Sequence, residues 1–327
     1  MKELPPRNSP AEPRYIEFGI QSNFSFLRGG SRPEELVVAA CLRGHAGMGL
    51  ADRNSVAGVV RAWSQSKFIH IENKEEPEKS FGPFHLPYHP GCRLVFDDAT
   101  PDILAYSQDR TGWGYLCRML TQANLRPETE KGATLVKQSD LLKWGDHMSL
   151  AVLPDLGADE VRTLTLLQSL RDRFGANIRL AVAPHYGGDD RFRFEKAAAL
   201  AQAARMPLMA TNDVLYHSLE RRPLQDVLTA IRLNRTVAEA GFALEANAER
   251  HLKSPAEMAR LFSRYPEALA EALRFAESLN FSLDQPSKPC PFPMDIGASS
   301  RPKVILRALE YNRTIPTGIL IRVLTAR

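Results

Sequence analysis

The sequence has few cysteines, no long apolar run and no secretory signal, and each absence narrows the class of protein. Its four cysteines, Cys41, Cys92, Cys117 and Cys290, are too few and too widely spaced for a zinc motif or a disulfide framework. No apolar run is long enough to span a membrane. The first residues have no apolar core of the kind that a signal peptide needs. We therefore expect a reducing, cytoplasmic setting and no membrane partner.

Excess positive charge is also missing from most of the chain, although the net charge is +4. Residues 286–327 hold seven Lys and Arg against two Asp and Glu, which leaves residues 1–285 with 35 basic and 36 acidic side chains. A DNA-binding domain usually presents a basic face. The body of the chain therefore gives no strong signal for DNA binding, and a DNA-binding fragment that uses its basic tail is a separate hypothesis.

What the sequence does contain is an alternation of short apolar stretches and amphipathic stretches. The apolar stretches predict strands at 15–20, 48–51, 92–96, 103–105, 149–153, 178–183 and 207–210. The amphipathic stretches predict helices at 33–43, with Ser31 as N-cap, and at 55–66, 111–123, 159–173 and 192–204. Repeated β-then-α order with apolar strands predicts an α/β fold, whose parallel sheet is either open or closed into a barrel.

The pattern changes to helices beyond residue 224. Ser254 and Glu257 form a capping-box pattern that opens a helix toward Tyr265, and Pro266 opens another. Two stretches, 1–13 and 71–90, are polar and proline-rich, so we predict a disordered N-terminus and a long surface insertion. The predicted organisation has four segments, at 1–13, 14–224, 225–285 and 286–327.

Six separated motifs resemble, in the same order, the N-terminal module of bacterial error-prone DNA polymerases. They read SNFSFLRGGSRPEELV, GLADRNSVAGVVRAW, GCRLVF, DRTGWGYLCRMLT, APHYGGDDR and MATNDVLYHSLERRPLQDVLTAIR. A further block, ANAERHLKSPAEMARLFSRYPEALAEALRFAE, resembles the helical link toward the polymerase palm, so the resemblance covers residues 14–285. The module is the polymerase and histidinol phosphatase (PHP) domain of the C-family, which is related to the polymerase III alpha subunit.

This resemblance implies a fold and a parent activity. The implied fold is a distorted βα, TIM-like barrel of the PHP type, followed by a small helical segment. The implied parent activity is DNA-directed DNA synthesis in damage tolerance, with Mg²⁺ as the metal of the intact polymerase. The implied partners in the intact parent are the palm, DNA and other translesion factors.

The positions that bind metal in PHP domains have largely changed in this chain. The resemblance assigns them to Gly19, Gln21, Arg28, Asp52, Arg53, Arg93, Asp102, Asp213, Leu215 and Gln225. Only three of these are carboxylates, and guanidinium groups repel cations. We therefore expect no bound metal, no other cofactor and no catalytic residue, and the positions form a vestigial site.

We consider two functions for this module. The first is a metal-free, non-catalytic PHP domain that acts as an interaction module of a polymerase. The alternative is an independent, metal-dependent PHP phosphoesterase. For the first we hypothesise that Arg53 or Arg93 pairs with Asp52 or Asp213 and replaces metal bridges with ion pairs. Because the resemblance stops near Gln285, we also expect a polymerase truncated before its palm, with a tail derived from a frameshift.

Overall fold

The computed structural model describes residues 13–75, 86–129 and 134–285. The predicted disordered N-terminus (1–12), the middle of the predicted insertion (76–85) and the predicted basic tail (286–327) lie outside these described residues. The strands are β1 (Ile16–Ile20), β2 (Gly47–Arg53), β3 (Tyr88–Leu94), β4 (Ile103–Ser107), β5 (Met148–Val152), β6 (Ile178–Val182) and β7 (Leu208–Ala210). The helices are α1 (Pro33–Leu42), α2 (Val59–Glu75), α3 (Arg110–Asn124), α4 (Gln138–Trp144), α5 (Glu160–Phe174), α6 (Asp190–Ala203), α7 (Arg222–Leu233), α8 (Val237–Ala240), α9 (Pro255–Leu261) and α10 (Pro266–Glu277).

The seven strands form one sheet whose spatial order is the order of the chain, β1 to β7. The predicted all-parallel sheet is wrong at β4, which pairs antiparallel with both β3 and β5. A parallel return needs a crossover of about a dozen residues, and the connection from Leu94 to Ile103 is shorter than that. The reversal places the start of β4 beside the carboxyl ends of β3 and β5, so residues just before β4 lie at that edge of the sheet.

The sheet curls until its two outer strands approach each other. Thr211, directly after β7, places its hydroxyl 2.6 Å from the carbonyl oxygen of Phe18 on β1. The carboxylate of Glu17, also on β1, accepts a hydrogen bond of 3.0 Å from the backbone N–H of Asn212. The strands are buried on both faces, which explains their continuous apolar sequences. The fold is a mixed α/β half-barrel.

Helix α10 packs against β1 and β7 beside this closure. The ring of Phe275 meets the rings of Phe18 and Tyr106 edge-on, with centroids 4.9 and 5.8 Å apart. Glu271, also on α10, is buried and accepts a hydrogen bond of 3.0 Å from Arg179 on β6. The described residues therefore pack as one compact unit, and the boundary expected at residue 224 stays a prediction about sequence organisation.

The predicted helices differ from the structure mainly at their ends. Arg32, not Ser31, is the N-cap of α1, because the Ser31 hydroxyl is 2.8 Å from the His217 ring and accepts from the His217 backbone. Helix α2 begins four residues after Ser55 and continues into the predicted insertion, and α4 was not predicted. The predicted cap at Ser254 is confirmed, since its hydroxyl accepts a hydrogen bond from the backbone of Glu257.

Candidate functional site

The charged positions Arg53, Arg93, Asp102 and Asp213, which the resemblance assigned to the site, lie at the edge of the sheet where the parallel strands end. In barrel enzymes this edge carries the catalytic side chains. Arg53 and Arg93 are register partners at the ends of β2 and β3, so their side chains leave the same face of the sheet. Asp102 precedes the reversed strand β4, and Asp213 follows β7, so both carboxylates reach the same edge.

Four charged side chains at this edge form one ion-pair network, and a fifth, Glu245, joins it through Arg250. Arg93 donates through Nε to Asp102 Oδ2 at 2.6 Å and through Nη1 to Asp213 Oδ1 at 2.5 Å. The other oxygen of Asp213 accepts from Nη2 of Arg250 at 2.5 Å, and Arg250 also donates to Glu245 at 2.9 Å. The Arg93–Asp213 pair was among those hypothesised from the sequence, and it is present. Arg250 was missed, although it lies in the AERHLKSP block, because Asp213 is 37 residues away in sequence.

This network changes the acidity of its members. Burial alone would raise the pKa of the Asp213 carboxyl, yet its pKa lies below the usual value because Arg250 and Arg93 stabilise the ionised form. Burial opposes the charge of Arg93, but Asp213 and Asp102 raise the pKa of its guanidinium. Asp213 also has a left-handed backbone (φ 48°), which aspartate tolerates better than most residues. The turn after β7 is therefore shaped to present this carboxylate to two arginines.

Asp52 has a different environment from the one hypothesised. Its carboxylate accepts from the Ser22 backbone at 2.7 Å, from the Ser22 hydroxyl at 2.8 Å and from the Ser25 hydroxyl at 2.7 Å, not from Arg53. Burial raises the pKa of Asp52 even though these hydrogen bonds favour the ionised form. The pairing of Asp52 with an arginine is therefore wrong, and the carboxylate fixes the loop after β1. Neither serine was predicted; both lie in the quoted SNFSFLRGG motif.

Four of the predicted positions contribute backbone hydrogen bonds or buried packing to this region. Among the described residues, none of their side chains forms a hydrogen bond with the network. Gly19 has a φ of +86°, a conformation that L side chains rarely adopt, and a Cβ there would lie 3.0 Å from Leu104, so a histidine at this position would be strained. The backbone of Gln21 donates to Val214 at 2.9 Å, and the carbonyl of Leu215 accepts from Gly30 at 2.8 Å. The side chains of Gln21, Leu215 and Gln225 are all buried.

Arg28 and Arg53 lie beside this network without an ion-pair partner in the part of the chain that the structure describes. Their backbones converge on one residue, since the N–H of Arg53 donates to the Ser25 hydroxyl at 3.0 Å and the N–H of Arg28 to the Ser25 carbonyl at 2.9 Å. Burial, followed by the charges of Arg53, Arg232 and Arg93, lowers the pKa of Arg28 to about 10. Burial also lowers the pKa of Arg53.

A cavity of about 590 Å³ opens on the other side of the network. Its lining includes Arg93, Asp102 and Asp213, together with His185 and Arg193 from the region of α6. Both basic and acidic groups line it. The cavity therefore has no dominant charge of either sign.

The donor set does not fit a metal ion. Two of the three carboxylates assigned to the site are bonded to guanidinium groups, and the third is saturated by serine donors. Within the described ranges no group of three or more His, Cys, Asp or Glu side chains is placed to hold a metal.

The curled sheet and its charged edge define a barrel-like α/β domain, and sequence comparison identifies its relatives. No family model matches the chain. The chain is 69% identical over 269 residues to the error-prone DNA polymerase of Mesorhizobium japonicum, covering 82% of this chain and 23% of that protein. It is 48% identical over 282 residues to error-prone DNA polymerase 1 of Rhizobium meliloti, covering 86% and 24%. The chain is therefore a homologue of part of the bacterial error-prone DNA polymerases, and it spans about a quarter of the length of these relatives.

Two solved structures also resemble the chain. One is a putative metal-dependent phosphoesterase from Bifidobacterium adolescentis, at 15% identity and a TM-score of 0.42, covering 62% of this chain and 88% of that one. The other is an amidohydrolase from Chromobacterium violaceum, at 13% identity and a TM-score of 0.44, covering 62% and 87%. Among the described residues, no helix is both long and apolar enough to cross a membrane.

Proposed function

We propose that this chain is a metal-free, non-catalytic PHP-like domain that serves as an interaction module of an error-prone DNA polymerase. The parent activity would be DNA-directed DNA synthesis during damage tolerance, in the cytoplasm, with DNA and the polymerase domain as partners. The homologous polymerases support the parent assignment. The observation that carries the non-catalytic assignment is the ion-pair network of Arg93, Asp102, Asp213 and Arg250.

The network opposes metal-dependent hydrolysis on electrostatic grounds. A catalytic metal needs several ionised or neutral donors with free lone pairs and an open position for water. Both oxygens of Asp213 are engaged by guanidinium groups at 2.5 Å. A divalent cation would have to displace two arginines and would then remain close to them, which is unfavourable. Ion pairs therefore hold β3, β4 and the turn after β7 together. In the phosphoesterase alternative, metal ions would bridge these positions instead.

A second feature supports the interaction role. Helix α7 turns its polar and small residues inward and its large apolar residues outward: Gln225 and Thr229 are buried, whereas Leu224, Val227 and Ile231 are 40–57% exposed. A surface helix normally shows the reverse arrangement. The relatives extend over about four times the matched length, and we propose that a part of the polymerase outside this segment covers the outward face of α7.

The test is hydrolysis of phosphomonoester and phosphodiester model substrates with Mg²⁺, Mn²⁺ or Zn²⁺. We expect no metal-dependent turnover above that of Asp213→Asn, which keeps the shape of the side chain and removes its charge. Metal-dependent turnover by the unmodified chain that Asp213→Asn abolishes would reject the proposal and establish the phosphoesterase alternative.

The α7 interface has its own experiment. We expect the chain to co-purify with the part of the Mesorhizobium japonicum polymerase that lies outside the matched segment. Val227→Glu combined with Ile231→Glu should abolish this association, whereas Val161→Glu, at a more exposed apolar position on α5, should not. Association that survives the α7 substitutions, or that Val161→Glu also abolishes, would reject α7 as the contact.

A further inference from the structure

A row of three exposed or partly exposed rings lies at the edge of the sheet opposite to the ion-pair network. Strand β4 ends at Ser107 and β5 begins at Met148, and these two residues are register partners at that opposite edge. His147 lies directly before β5, Tyr115 lies on α3, and Trp144 is the last residue of α4. The ring centroids of His147 and Tyr115 are 6.2 Å apart, and those of Tyr115 and Trp144 are 5.6 Å apart. The row therefore runs from the sheet edge along α3 to the end of α4.

Hydrogen bonds fix the two outer rings of this row. Nδ1 of His147 is 2.7 Å from Oδ2 of Asp109, whose other carboxylate oxygen accepts the backbone N–H of Gly112 at 2.9 Å and caps α3. The indole Nε1–H of Trp144 donates to Oε1 of Gln122 at 2.9 Å. Rings that are held in place before a ligand arrives lower the entropic cost of binding.

Two exposed cations lie over the ring of Trp144. Cζ of Arg118 on α3 is 5.3 Å from the ring centroid, and Nζ of Lys143 on α4 is 5.1 Å from it. Neither cation has an ion-pair partner in the part of the chain that the structure describes. Asp146, two residues after Trp144, is bonded to Arg173 instead, at 2.8 Å. Two positive charges beside the rings are therefore left without an acidic partner among the described residues.

We propose that this ring surface, formed by His147, Tyr115, Trp144, Arg118 and Lys143, binds single-stranded nucleic acid. Nucleobases stack on aromatic side chains and the phosphates pair with cations, so this ligand uses both features of the surface. An acidic peptide would use the cations and leave the rings without partners. A site with two cations needs no basic excess over the whole domain, and residues 1–285 have none.

The ring surface shares no residue with the ion-pair network or with α7. Its failure to bind nucleic acid would therefore leave the proposed non-catalytic interaction role intact. Conversely, metal-dependent hydrolysis at the charged edge would reject that role without changing the expectation for the ring surface.

The experiment is titration of a fluorescently labelled oligothymidine with the whole chain, followed by fluorescence anisotropy at several salt concentrations. Arg118→Gln combined with Lys143→Gln should weaken binding by at least about fivefold at low salt, because two phosphate contacts are lost. Two contacts at about −0.7 each also predict that the slope of log K against log salt concentration becomes shallower by about 1.4. The matched control is Arg191→Gln combined with Arg264→Gln, which removes two exposed positive charges on the side of Glu195 and should bind like the unmodified chain.

Stacking has its own variants at Trp144. Trp144→Leu keeps an apolar side chain and removes the ring, so binding should weaken by about fivefold or more. Trp144→Phe keeps a ring and should retain binding. The oligothymidine should quench the tryptophan fluorescence of the unmodified chain, and Trp144→Phe should lose this quenching, because Trp113 is stacked on Phe281 and Trp63 lies on α2. Circular dichroism establishes that each variant is folded.

Several outcomes would overturn the proposal. Absence of saturable binding, or an equal loss of binding in the Arg191 and Arg264 control, would do so. Binding that the Arg118 and Lys143 substitutions leave unchanged would belong to another region, such as the basic tail at 286–327, and would also overturn it. Polyglutamate that displaces the labelled strand as well as unlabelled oligothymidine does would show that charge alone is recognised, against the assigned role of the rings.

Discussion

Removal of Arg93 tests the ion-pair network most sharply, because this side chain joins two carboxylates from different parts of the sheet. In Arg93→Met the apolar stem is retained and the guanidinium is lost. Asp213 then keeps only Arg250 as a cationic partner, and Asp102 loses its partner. We expect the free energy of unfolding to fall, because two largely buried carboxylates are left with fewer compensating charges.

The expected decrease in the free energy of unfolding depends on how deeply these side chains are buried. The side chains of Arg93, Asp213 and Asp102 are 13%, 11% and 24% exposed. Removing one partner of a fully buried pair costs about 3–5 kcal/mol. Because Arg250 still pairs with Asp213 and Asp102 is partly hydrated, we expect about 2–3 kcal/mol for Arg93→Met. The control Arg191→Met removes an exposed i,i+4 pair and should cost about 0.5 kcal/mol or less.

Urea unfolding followed by circular dichroism measures these differences. A double-mutant cycle with Asp213→Asn separates the interaction from the effects of each substitution, and we expect a coupling energy of about 1–2 kcal/mol. Additive losses in the cycle, or a cost of Arg93→Met no larger than that of Arg191→Met, would refute the idea that ion pairs hold this edge together.

Three further predictions concern other parts of the chain. Burial raises the pKa of Glu17 to about 7. The protonated side chain therefore contributes its full stabilisation below the pKa of the unfolded chain, near 4.5, and this contribution is lost as the pH rises through about 7. Glu17→Gln should remove up to about 3 kcal/mol of this pH dependence, measured by urea unfolding. Asp52→Ala leaves three buried donors in Ser22 and Ser25 without their acceptor, so thermal unfolding should show a loss of about 2–4 kcal/mol. Val227→Glu should reduce concentration-dependent self-association, measured by sedimentation, because it places a charge on the exposed apolar face of α7.

Each of these predictions has a contradicting outcome. For Glu17, the same fall in stability from acid to neutral pH in Glu17→Gln as in the unmodified chain would show that another group titrates. For Asp52, Ser25→Ala should cost less than Asp52→Ala, because it removes one donor and not the shared acceptor; the reverse order would show that the serines do not depend on the carboxylate. For α7, Val161→Glu on α5 is the control, and an equal effect there would make the reduction non-specific.

The sequence predicted the strands well because they are short, apolar and buried on both faces. It did not predict the reversed direction of β4, because periodicity reports which faces are buried and not the direction of the strand. It did not predict α4, whose seven residues are too few for a clear helical period. The short loop before Ile103 was the available signal for the reversal.

The site was predictable where a motif fixed the position and unpredictable where the partner was remote. Arg93 and Asp213 lie in quoted motifs, and their pairing was hypothesised because both fall at positions that bind metal in PHP domains. Arg250 reaches Asp213 from a block that follows the sheet, and nothing local in the sequence marks that contact. An arginine partner was hypothesised for Asp52 because arginines occupy family ligand positions in this chain, but the serines of the loop after β1 take that place.

The most direct test of the central claim is the metal content of the purified chain after equilibration with Zn²⁺ and Mn²⁺, measured by elemental mass spectrometry. Since guanidinium groups engage Asp102 and both oxygens of Asp213, we predict that neither metal is retained in stoichiometric amount. Stoichiometric zinc or manganese that is lost in Asp213→Asn would contradict the replacement of metal bridges by ion pairs.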